Sequence, residues 1–297
     1  MSEHPLIAGV ELGGTKCNVI LGSGPDAVVE EVRVPTTRPA ETLAAIEGVL
    51  DKWRGFAALG IASFGPVSID HGAGDYGHIT STPKPGWAGT DIARRLERHS
   101  GVPTGFHTDV VGAALAEARW GAAKGLGDVA YVTVGTGIGV GLIAGGLPVD
   151  GLTHAEFGHI RPVRAPGDDW VGNCPFHGAC LEGLAAGTAI AARTGQPASE
   201  LDVDHPAWDG VAHALGQLLH TLVLTGVPRR IVMGGGVMVG TNHLFPRVRA
   251  AMIKSLAGYV ALPEVALADT YVVPPALGSN AGPLGAILLG EQALAAL

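Results

Sequence analysis

The chain has 297 residues, of which 47% are hydrophobic and 5% are aromatic, and it contains 46 glycines. A chain of this length and composition can bury a large core that divides into two, which favours a folded α/β protein and excludes a disordered or fibrous one. Its formal net charge of −8, from 19 basic and 27 acidic residues, argues against nucleic acid as a partner and favours a small-molecule ligand.

The cysteine content and the start of the chain bear on its location. Three cysteines are too few for a disulfide framework, and no basic segment followed by an apolar one opens the chain. We therefore expect a cytoplasmic protein. Residues 129–149 are uncharged for long enough to imitate a membrane span, but the glycines within them favour two buried strands around a turn, so no membrane association is expected.

Strand and helix patterns alternate through the first 123 residues. Short apolar runs predict strands at residues 6–12, 17–21, 28–34, 56–63 and 104–108. Apolar residues at helical spacing predict helices at residues 40–53, 91–99 and 109–123, the second with Asp91 as its N-cap.

The opening pattern of strand, glycine turn and strand recurs after residue 128. Residues 129–134 and 138–143 predict two strands around Gly135-Thr136-Gly137. Such a pseudo-repeat indicates two similar domains. The remaining patterns predict a strand at residues 230–233 and helices at residues 181–194, 208–225, 246–259 and 281–296.

Three glycine-rich turns offer surfaces for phosphate groups. Glycine lacks a Cβ, so backbone N–H groups can approach phosphate oxygens closely, and Thr15 and Lys16 add a hydroxyl and a charge to the first turn. The spacing matches neither a Walker A loop nor a dinucleotide fingerprint. One such turn alone is more often only a tight turn, whereas three together favour phosphate binding. The residues concerned are Gly13, Gly14, Thr15, Lys16, Gly135, Thr136, Gly137, Gly139, Gly234, Gly235, Gly236 and Val237.

Cysteine and histidine residues are concentrated between His154 and Glu182. Cys174, His177 and Cys180 form a Cys-x-x-His-x-x-Cys motif. Sulfur and imidazole groups are the donors of tetrahedral zinc sites. By itself the motif is equally compatible with two buried thiols and a surface histidine.

Seven motifs follow one another along the chain. They are Gly-Val-Glu-Leu-Gly-Gly-Thr-Lys at residues 9–16, Thr-Pro-Lys-Pro-Gly-Trp at residues 82–87, Thr-Asp-Val at residues 108–110, Val-Gly-Thr-Gly-Ile-Gly at residues 134–139, Glu-x-Gly-His at residues 156–159, the Cys/His segment at residues 174–182 and Gly-Gly-Gly at residues 234–236. Together they resemble the ROK family of sugar kinases, and most closely its bacterial fructokinase branch. The resemblance spans essentially the whole chain.

The fold that the resemblance implies consists of two actin-like, ribonuclease H-like domains with ATP and sugar bound in the cleft between them. We place the N-terminal domain at residues 1–118 and the C-terminal domain, with a zinc-binding insertion, at residues 119–280. We expect the helix within residues 281–297 to pack back on the N-terminal domain.

The resemblance implies roles in phosphoryl transfer. The first two glycine turns would hold the ATP phosphates, the third would line the adenosine, and Glu11 would position Mg²⁺ through water. Asp109 would be the base that accepts the proton of the sugar hydroxyl. From its place between a strand and a helix alone, Asp109 would more often be an ordinary N-cap. The branch usually continues with Asn and Ala where this chain has Val111 and Gly112, so the orientation of the sugar near the base is expected to differ.

The resemblance also assigns residues around the sugar. Carboxylates accept hydrogen bonds from vicinal hydroxyl groups and discriminate against analogues that lack them. In the substrate loop, Trp87 would close over the sugar; the alternative is a packed tryptophan in a surface loop. The implied sugar-binding residues are Lys84, Pro85, Gly86, Trp87, Thr108, Asp109, Glu156, His159 and Glu182.

Within this resemblance the Cys/His segment acquires a structural role. His159, Cys174, His177 and Cys180 fill four tetrahedral positions and leave none for water or substrate. Zinc bound there would tether His159 and fix the sugar-binding loop.

We therefore predict an ATP- and Mg²⁺-dependent kinase with a structural Zn²⁺ that converts D-fructose to fructose 6-phosphate. A kinase for glucose or mannose is the alternative within the family, because carboxylates do not reveal which hexose they fit. A non-catalytic sugar-sensing regulator is the alternative from another class. Regulators of this family carry an N-terminal DNA-binding domain, and a first strand near residue 6 leaves no room for one. The family also implies a homodimer.

Overall fold

The computed structural model describes residues 5–261, 265 and 267–297, and the chain divides into two compact units. Unit 1 comprises Met1–Gly121, Val149–His154 and Ser279–Leu297, and unit 2 comprises Ala122–Pro148 and Ala155–Gly278. The boundaries predicted at residues 118 and 281 thus differ from these by a few residues. The larger difference is Val149–His154, which packs with unit 1 although it lies inside the predicted C-terminal domain.

Two hydrogen bonds explain why this segment belongs to unit 1. Asp150 Oδ1 lies 2.9 Å from His107 Nε2, and His154 Nε2 accepts a hydrogen bond of 3.0 Å from the backbone N–H of Val67. Both histidines are buried, so these bonds satisfy polar groups that would otherwise lack a partner.

Unit 1 contains a five-stranded sheet. Its strands are β1 (Ile7–Leu12), β2 (Lys16–Gly22), β3 (Val28–Pro35), β4 (Ala58–Ser63) and β5 (Thr104–Thr108). They lie in the order β3-β2-β1-β4-β5, in which β1, β2 and β3 are antiparallel and β4 and β5 continue parallel to β1. All five coincide with predicted strands, apart from a residue or two at their ends.

Helices cover this sheet. Those of the described residues are α1 (Pro39–Leu50), α2 (Ala93–Ser100), α3 (Asp109–Arg119) and α10 (Ala281–Ala295). Helix α2 begins two residues later than predicted and has Ile92, not Asp91, as its N-cap. Asp91 instead accepts a hydrogen bond of 3.2 Å from the backbone N–H of Arg95.

Helix α10 lies directly against the sheet at two glycines. A Cβ on Gly60 in β4 would lie 1.8 Å from the carbonyl oxygen of Ala286, and a Cβ on Gly105 in β5 would lie 2.1 Å from that of Leu289. Any side chain at either position would force the helix away from the sheet. The C-terminal helix is therefore part of the core of unit 1.

Unit 2 repeats the arrangement of unit 1. Its strands are β6 (Val129–Val134), β7 (Ile138–Ala144), β8 (Leu147–Pro148), β9 (Arg230–Gly234) and β10 (Val272–Val273). In the order β10-β9-β6-β7-β8, strands β7 and β8 continue antiparallel from β6, and β9 and β10 continue parallel to it. This is the order of unit 1 with β6 in the place of β1, and it confirms the pseudo-repeat. Among the described residues, no helix has both the length and the hydropathy to cross a membrane.

The helices of unit 2 correct two predictions. The helix predicted at residues 181–194 is two helices, because Ala186 is extended with φ −68° and ψ 160°. The helix predicted at residues 246–259 is Leu244–Leu256 and ends at Ala257, which adopts a left-handed conformation. The described helices of this unit are α4 (Leu181–Ala185), α5 (Gly187–Thr194), α6 (Ala207–Thr225), α7 (Gly236–Gly240), α8 (Leu244–Leu256) and α9 (Ala268–Tyr271).

Candidate functional site

The first glycine turn, residues 13–16, closes the β1–β2 hairpin in unit 1. The backbone N–H of Gly13 donates to the carbonyl oxygen of Lys16 at 3.1 Å. Thr36 supports the turn through its hydroxyl, which donates to the carbonyl oxygen of Gly13 at 2.7 Å, and through its N–H, which donates to that of Thr15 at 3.0 Å. Residues 14–16 remain exposed, so their backbone and side-chain donors are accessible to an anion.

Glu11 precedes this turn on β1, and its carboxylate is held on two sides. Asn18 Nδ2 donates a hydrogen bond to Glu11 Oε2. A Cβ on Gly282, at the start of α10, would lie 1.8 Å from Glu11 Oε1, so the carboxylate fits there only because residue 282 is glycine. Burial raises the pKa of Glu11, and the hydrogen bond from Asn18 and the charge of Lys16 oppose that shift.

Asp109 stands where β5 ends and α3 begins. The N-cap of α3 is Thr108, whose hydroxyl accepts a hydrogen bond of 3.3 Å from the backbone N–H of Val111. Asp109 is therefore the first residue of the helix, and its Oδ1 accepts a hydrogen bond of 2.9 Å from the N–H of Val110. The alternative role of Asp109 as an ordinary N-cap does not apply, because Thr108 occupies that position.

The predicted substrate loop differs from expectation at Trp87. This side chain is fully buried in the core of unit 1. Its Nε1 donates to the carbonyl oxygen of Thr37 at 2.9 Å, and its ring meets that of Phe64 edge-on at 5.3 Å. Trp87 is thus a packed tryptophan and not an exposed side chain above a sugar site. Lys84 Nζ donates to the carbonyl oxygen of Gly14 and so joins the loop to the first glycine turn.

The second glycine turn, residues 135–137, closes the β6–β7 hairpin in unit 2. The start of helix α5 supports it. The N–H of Gly187 donates to the carbonyl oxygen of Gly135 at 2.7 Å, and Thr188 Oγ1 donates to that of Thr136 at 2.9 Å. Gly139 lies within β7 and not in the turn.

The third glycine turn, residues 234–236, packs against the end of β6. Gly235 has φ 87°, and a Cβ there would lie 2.4 Å from the carbonyl oxygen of Val134. The structure therefore brings the second and third glycine turns together in unit 2. Residues on both sides of the third turn line a cavity of about 260 Å³, which the sequence analysis missed. Its apolar walls include Met233, Met238, Val239, Phe245, Pro274 and Pro275.

Glu156 and Glu182 form a pair of neighbouring carboxylates in unit 2. Glu182 Oε2 accepts a hydrogen bond of 3.0 Å from the N–H of Ile138, and a Cβ on Gly137 would lie 2.5 Å from the same oxygen. Glu156 is exposed as a residue, but its carboxyl group has lost much of its solvent. This loss is the larger cause, and the negative charge of Glu182 the smaller one, that raises the pKa of Glu156 to about 7. Glu182 thus connects the carboxylate pair to the second glycine turn.

The four predicted metal ligands converge. The ligand atoms of His159, Cys174, His177 and Cys180 all lie within 4.8 Å of one another. His159 Nδ1 lies 3.3 Å from His177 Nδ1, 3.6 Å from Cys180 Sγ and 3.7 Å from Cys174 Sγ. Tetrahedral zinc with ordinary bond lengths requires separations of about 3.3 Å between nitrogens and about 3.6 Å between nitrogen and sulfur. The donor set therefore fits Zn²⁺.

This cluster lies beside the carboxylate pair along the chain. His159 ends a short 3-10 turn at Phe157–His159 that follows Glu156. Cys180 is the N-cap of α4, whose second residue is Glu182, and its sulfur accepts a hydrogen bond of 3.5 Å from the N–H of Gly183. Burial raises the pKa of the Cys180 thiol to about 11, so a cation such as Zn²⁺ would be needed to hold the thiolate that binds it.

Known proteins match this chain in sequence over nearly its whole length. The model of the ROK family matches residues 7–293. The fructokinase of Pediococcus pentosaceus is 39% identical over 289 residues, 97% of this chain and 99% of that protein. The fructokinase of Zymomonas mobilis subsp. mobilis is 42% identical over 292 residues, 96% of each chain.

Solved structures share the same architecture. A ROK family glucokinase from Streptomyces griseus, in complex with glucose and AMPPNP, superposes with a TM-score of 0.77 at 26% identity and covers 97% of this chain and 99% of that chain. The predicted fold of two actin-like α/β domains is confirmed. The chain belongs to the ROK family.

Proposed function

We propose that the chain is an ATP- and Mg²⁺-dependent kinase that phosphorylates D-fructose at O6. The observation that carries fructose over other hexoses is the 39% and 42% identity to two fructokinases over nearly their whole length, against 26% to the glucokinase. Glucose or mannose as the substrate is the alternative within the same chemistry.

In this proposal Asp109 is the base. As O6 of the sugar attacks the γ-phosphorus of ATP, the new bond between O6 and phosphorus forms while the bond to the bridging oxygen of ADP breaks, and the proton of the O6 hydroxyl passes to Asp109. The position of Asp109 at the start of α3 supports this role, because Thr108 serves as the cap. The N-terminus of α3 also favours a carboxylate there.

The glycine turns position the nucleotide. The exposed donors of the first turn, including Thr15 and Lys16, and the second turn bind phosphate oxygens. The cavity beside the third turn has apolar side chains and the amide of Asn242 in its lining, and its size suits an adenine ring. Glu11 would hold hydrated Mg²⁺, and the ion would neutralise charge on the phosphates.

The carboxylate pair and the metal cluster form the sugar site. Glu156 and Glu182 accept hydrogen bonds from sugar hydroxyl groups, and His159 contributes its second ring nitrogen. Zn²⁺ bound to the cluster would be structural. Two of its ligands, His159 and Cys180, stand three residues after Glu156 and two before Glu182, so the metal would fix both carboxylates. We also propose that the protein is a homodimer and is located in the cytoplasm.

An assay of ADP release with fructose, glucose and mannose tests the proposal. We expect kcat/KM for fructose to exceed that for either other hexose by at least about tenfold. A higher value for glucose or mannose would establish the alternative kinase. Binding of ATP and sugar without any transfer would instead support the non-catalytic sugar sensor.

A further inference from the structure

Asn18 is a buried polar residue in an apolar strand. It lies in β2 between Cys17 and Val19, both fully buried, and only 6% of its own surface is exposed. An asparagine is unfavourable at such a place in a sheet unless its amide is satisfied. Its presence therefore requires an explanation other than packing.

One half of the amide has a partner and the other half does not. Asn18 stands directly opposite Glu11 in the β1–β2 register, and its Nδ2 donates to Glu11 Oε2. In the part of the chain that the structure describes, Asn18 Oδ1 is buried without a hydrogen-bond partner. A residue retained for stability alone would not leave a buried acceptor unsatisfied.

The interaction with Asn18 completes the confinement of the Glu11 carboxylate. Oε1 abuts the first turn of α10, where Gly282 leaves space for it, and Oε2 is bound by Asn18. With Oε2 hydrogen-bonded and Oε1 confined against α10, the carboxylate is held in one orientation relative to the adjacent first glycine turn.

We propose that Asn18 is a positioning residue for Mg²⁺, which acts by fixing the orientation of Glu11; this inference rests on the proposed role of Glu11 in the kinase. Mg²⁺ requires nearly ideal octahedral geometry and retains much of its water. A carboxylate that can rotate therefore loses affinity for the hydrated ion more than it disturbs sugar binding in unit 2.

The test measures Mn²⁺ as a paramagnetic substitute for Mg²⁺, bound to the protein with ADP and followed by electron paramagnetic resonance. Asn18→Leu keeps the volume of the side chain and removes the amide; Asn18→Ala repeats the test without the risk of a clash. We expect either variant to weaken Mn²⁺ binding by about tenfold or more and to leave fructose binding, measured calorimetrically, unchanged. Val19→Ala removes part of the neighbouring buried apolar side chain on the same strand, and this variant should bind Mn²⁺ as the unmodified protein does.

Glu11→Gln separates this inference from the proposed function. If Glu11→Gln weakens Mn²⁺ binding and both Asn18 variants bind it normally, the role of Asn18 is overturned and that of Glu11 stands. If Glu11→Gln also binds Mn²⁺ normally, the role of Glu11 in the proposed function fails, and the inference fails with it. A loss of Mn²⁺ binding that is matched by an equal loss of fructose binding would indicate general misfolding and would also overturn it.

Discussion

The two glycine hairpins occupy equivalent places in equivalent sheets, yet different elements support them. The first glycine turn is supported by Thr36, at the end of β3, and leaves its hydroxyl and ammonium groups exposed. The second has no charged residue of its own and is supported by the start of α5 and by Glu182. The first turn is therefore suited to bind an anion directly. The second turn is connected to the carboxylate pair through its contact with Glu182.

The same difference extends to the surroundings of each hairpin. Unit 1 places Glu11 and Asp109 at the ends of β1 and β5, so it holds the groups proposed for metal positioning and proton transfer. Unit 2 holds the carboxylate pair, the metal cluster and the cavity beside the third glycine turn, which are proposed for binding. Two units with the same fold are thus proposed to serve different steps, phosphoryl transfer in unit 1 and binding in unit 2. Variants in unit 1 should mainly change kcat, and variants in unit 2 should mainly change KM.

The largest effect is expected from Asp109→Asn in unit 1. An amide cannot accept the proton of the sugar hydroxyl, so kcat should fall by about 10²- to 10⁴-fold while the calorimetric affinity for fructose is retained. Asp91→Asn, which alters a carboxylate near the start of α2, is the control and should leave kcat unchanged. Normal turnover by Asp109→Asn would refute the assignment of chemistry to unit 1.

Removing a metal ligand in unit 2 should mainly raise KM for fructose, whereas Asp109→Asn in unit 1 should mainly lower kcat. In Cys180→Ser we expect zinc, about one ion per chain in the unmodified protein, to be lost and KM for fructose to rise by about tenfold or more. The effect on kcat should be smaller. Metal analysis of the purified protein and steady-state kinetics provide the measurement, with Cys17→Ala as a control that keeps its zinc. An unchanged KM in zinc-free protein would remove the link between the metal and the sugar site.

Alanine at two adjacent glycines tests how the turns of unit 2 pack. Gly235→Ala would place a Cβ 2.4 Å from Val134 O at a positive φ of 87°, so the free energy of unfolding should fall by about 1–3 kcal/mol. Gly236→Ala meets nothing within 4 Å and should change it by less than about 0.5 kcal/mol. Urea denaturation measures both. Equal effects would show that the third glycine turn does not pack as described.

The smallest effect concerns the pH dependence of stability in unit 2. Because the pKa of Glu156 is raised to about 7 from an ordinary value of 4.5, the folded state keeps its proton to higher pH than the unfolded state does. Its contribution to stability is present below pH 4.5 and is lost as pH rises through 7. Glu156→Gln should therefore increase Tm relative to the unmodified protein at pH 8, by about 2 °C, and not at pH 4. A difference independent of pH would contradict the shift.

Much of the fold was predictable, because its strands are short apolar runs between glycines and polar residues. The helix predicted at residues 181–194 was wrong at Ala186, since an alanine carries no local signal for an extended backbone. The strand β10 has only two residues and forms by pairing with β9. A strand this short shows no alternating pattern in the sequence, so it was not predicted.

The candidate site was predictable where residue chemistry is distinctive. The soft donors of Cys174 and Cys180 indicated a metal site, and their ligand atoms converge with those of two histidines. The burial of Trp87 was not predictable, because a loop sequence does not reveal which side of it faces the core. Asn18 did leave a signal, a single amide in an apolar strand, but its partner Glu11 became evident only from the register of the hairpin.

The packing of α10 has a consequence for synthesis of the chain on the ribosome. The sheet of unit 1 packs at Gly60 and Gly105 against the backbone of Ala286 and Leu289 in α10. This sheet therefore cannot complete its core until α10 has emerged from the ribosome. Unit 2, which lies within residues 122–278, is available earlier. The nascent chain should therefore fold its second unit before its first, with the apolar face of the first sheet left for chaperones to cover.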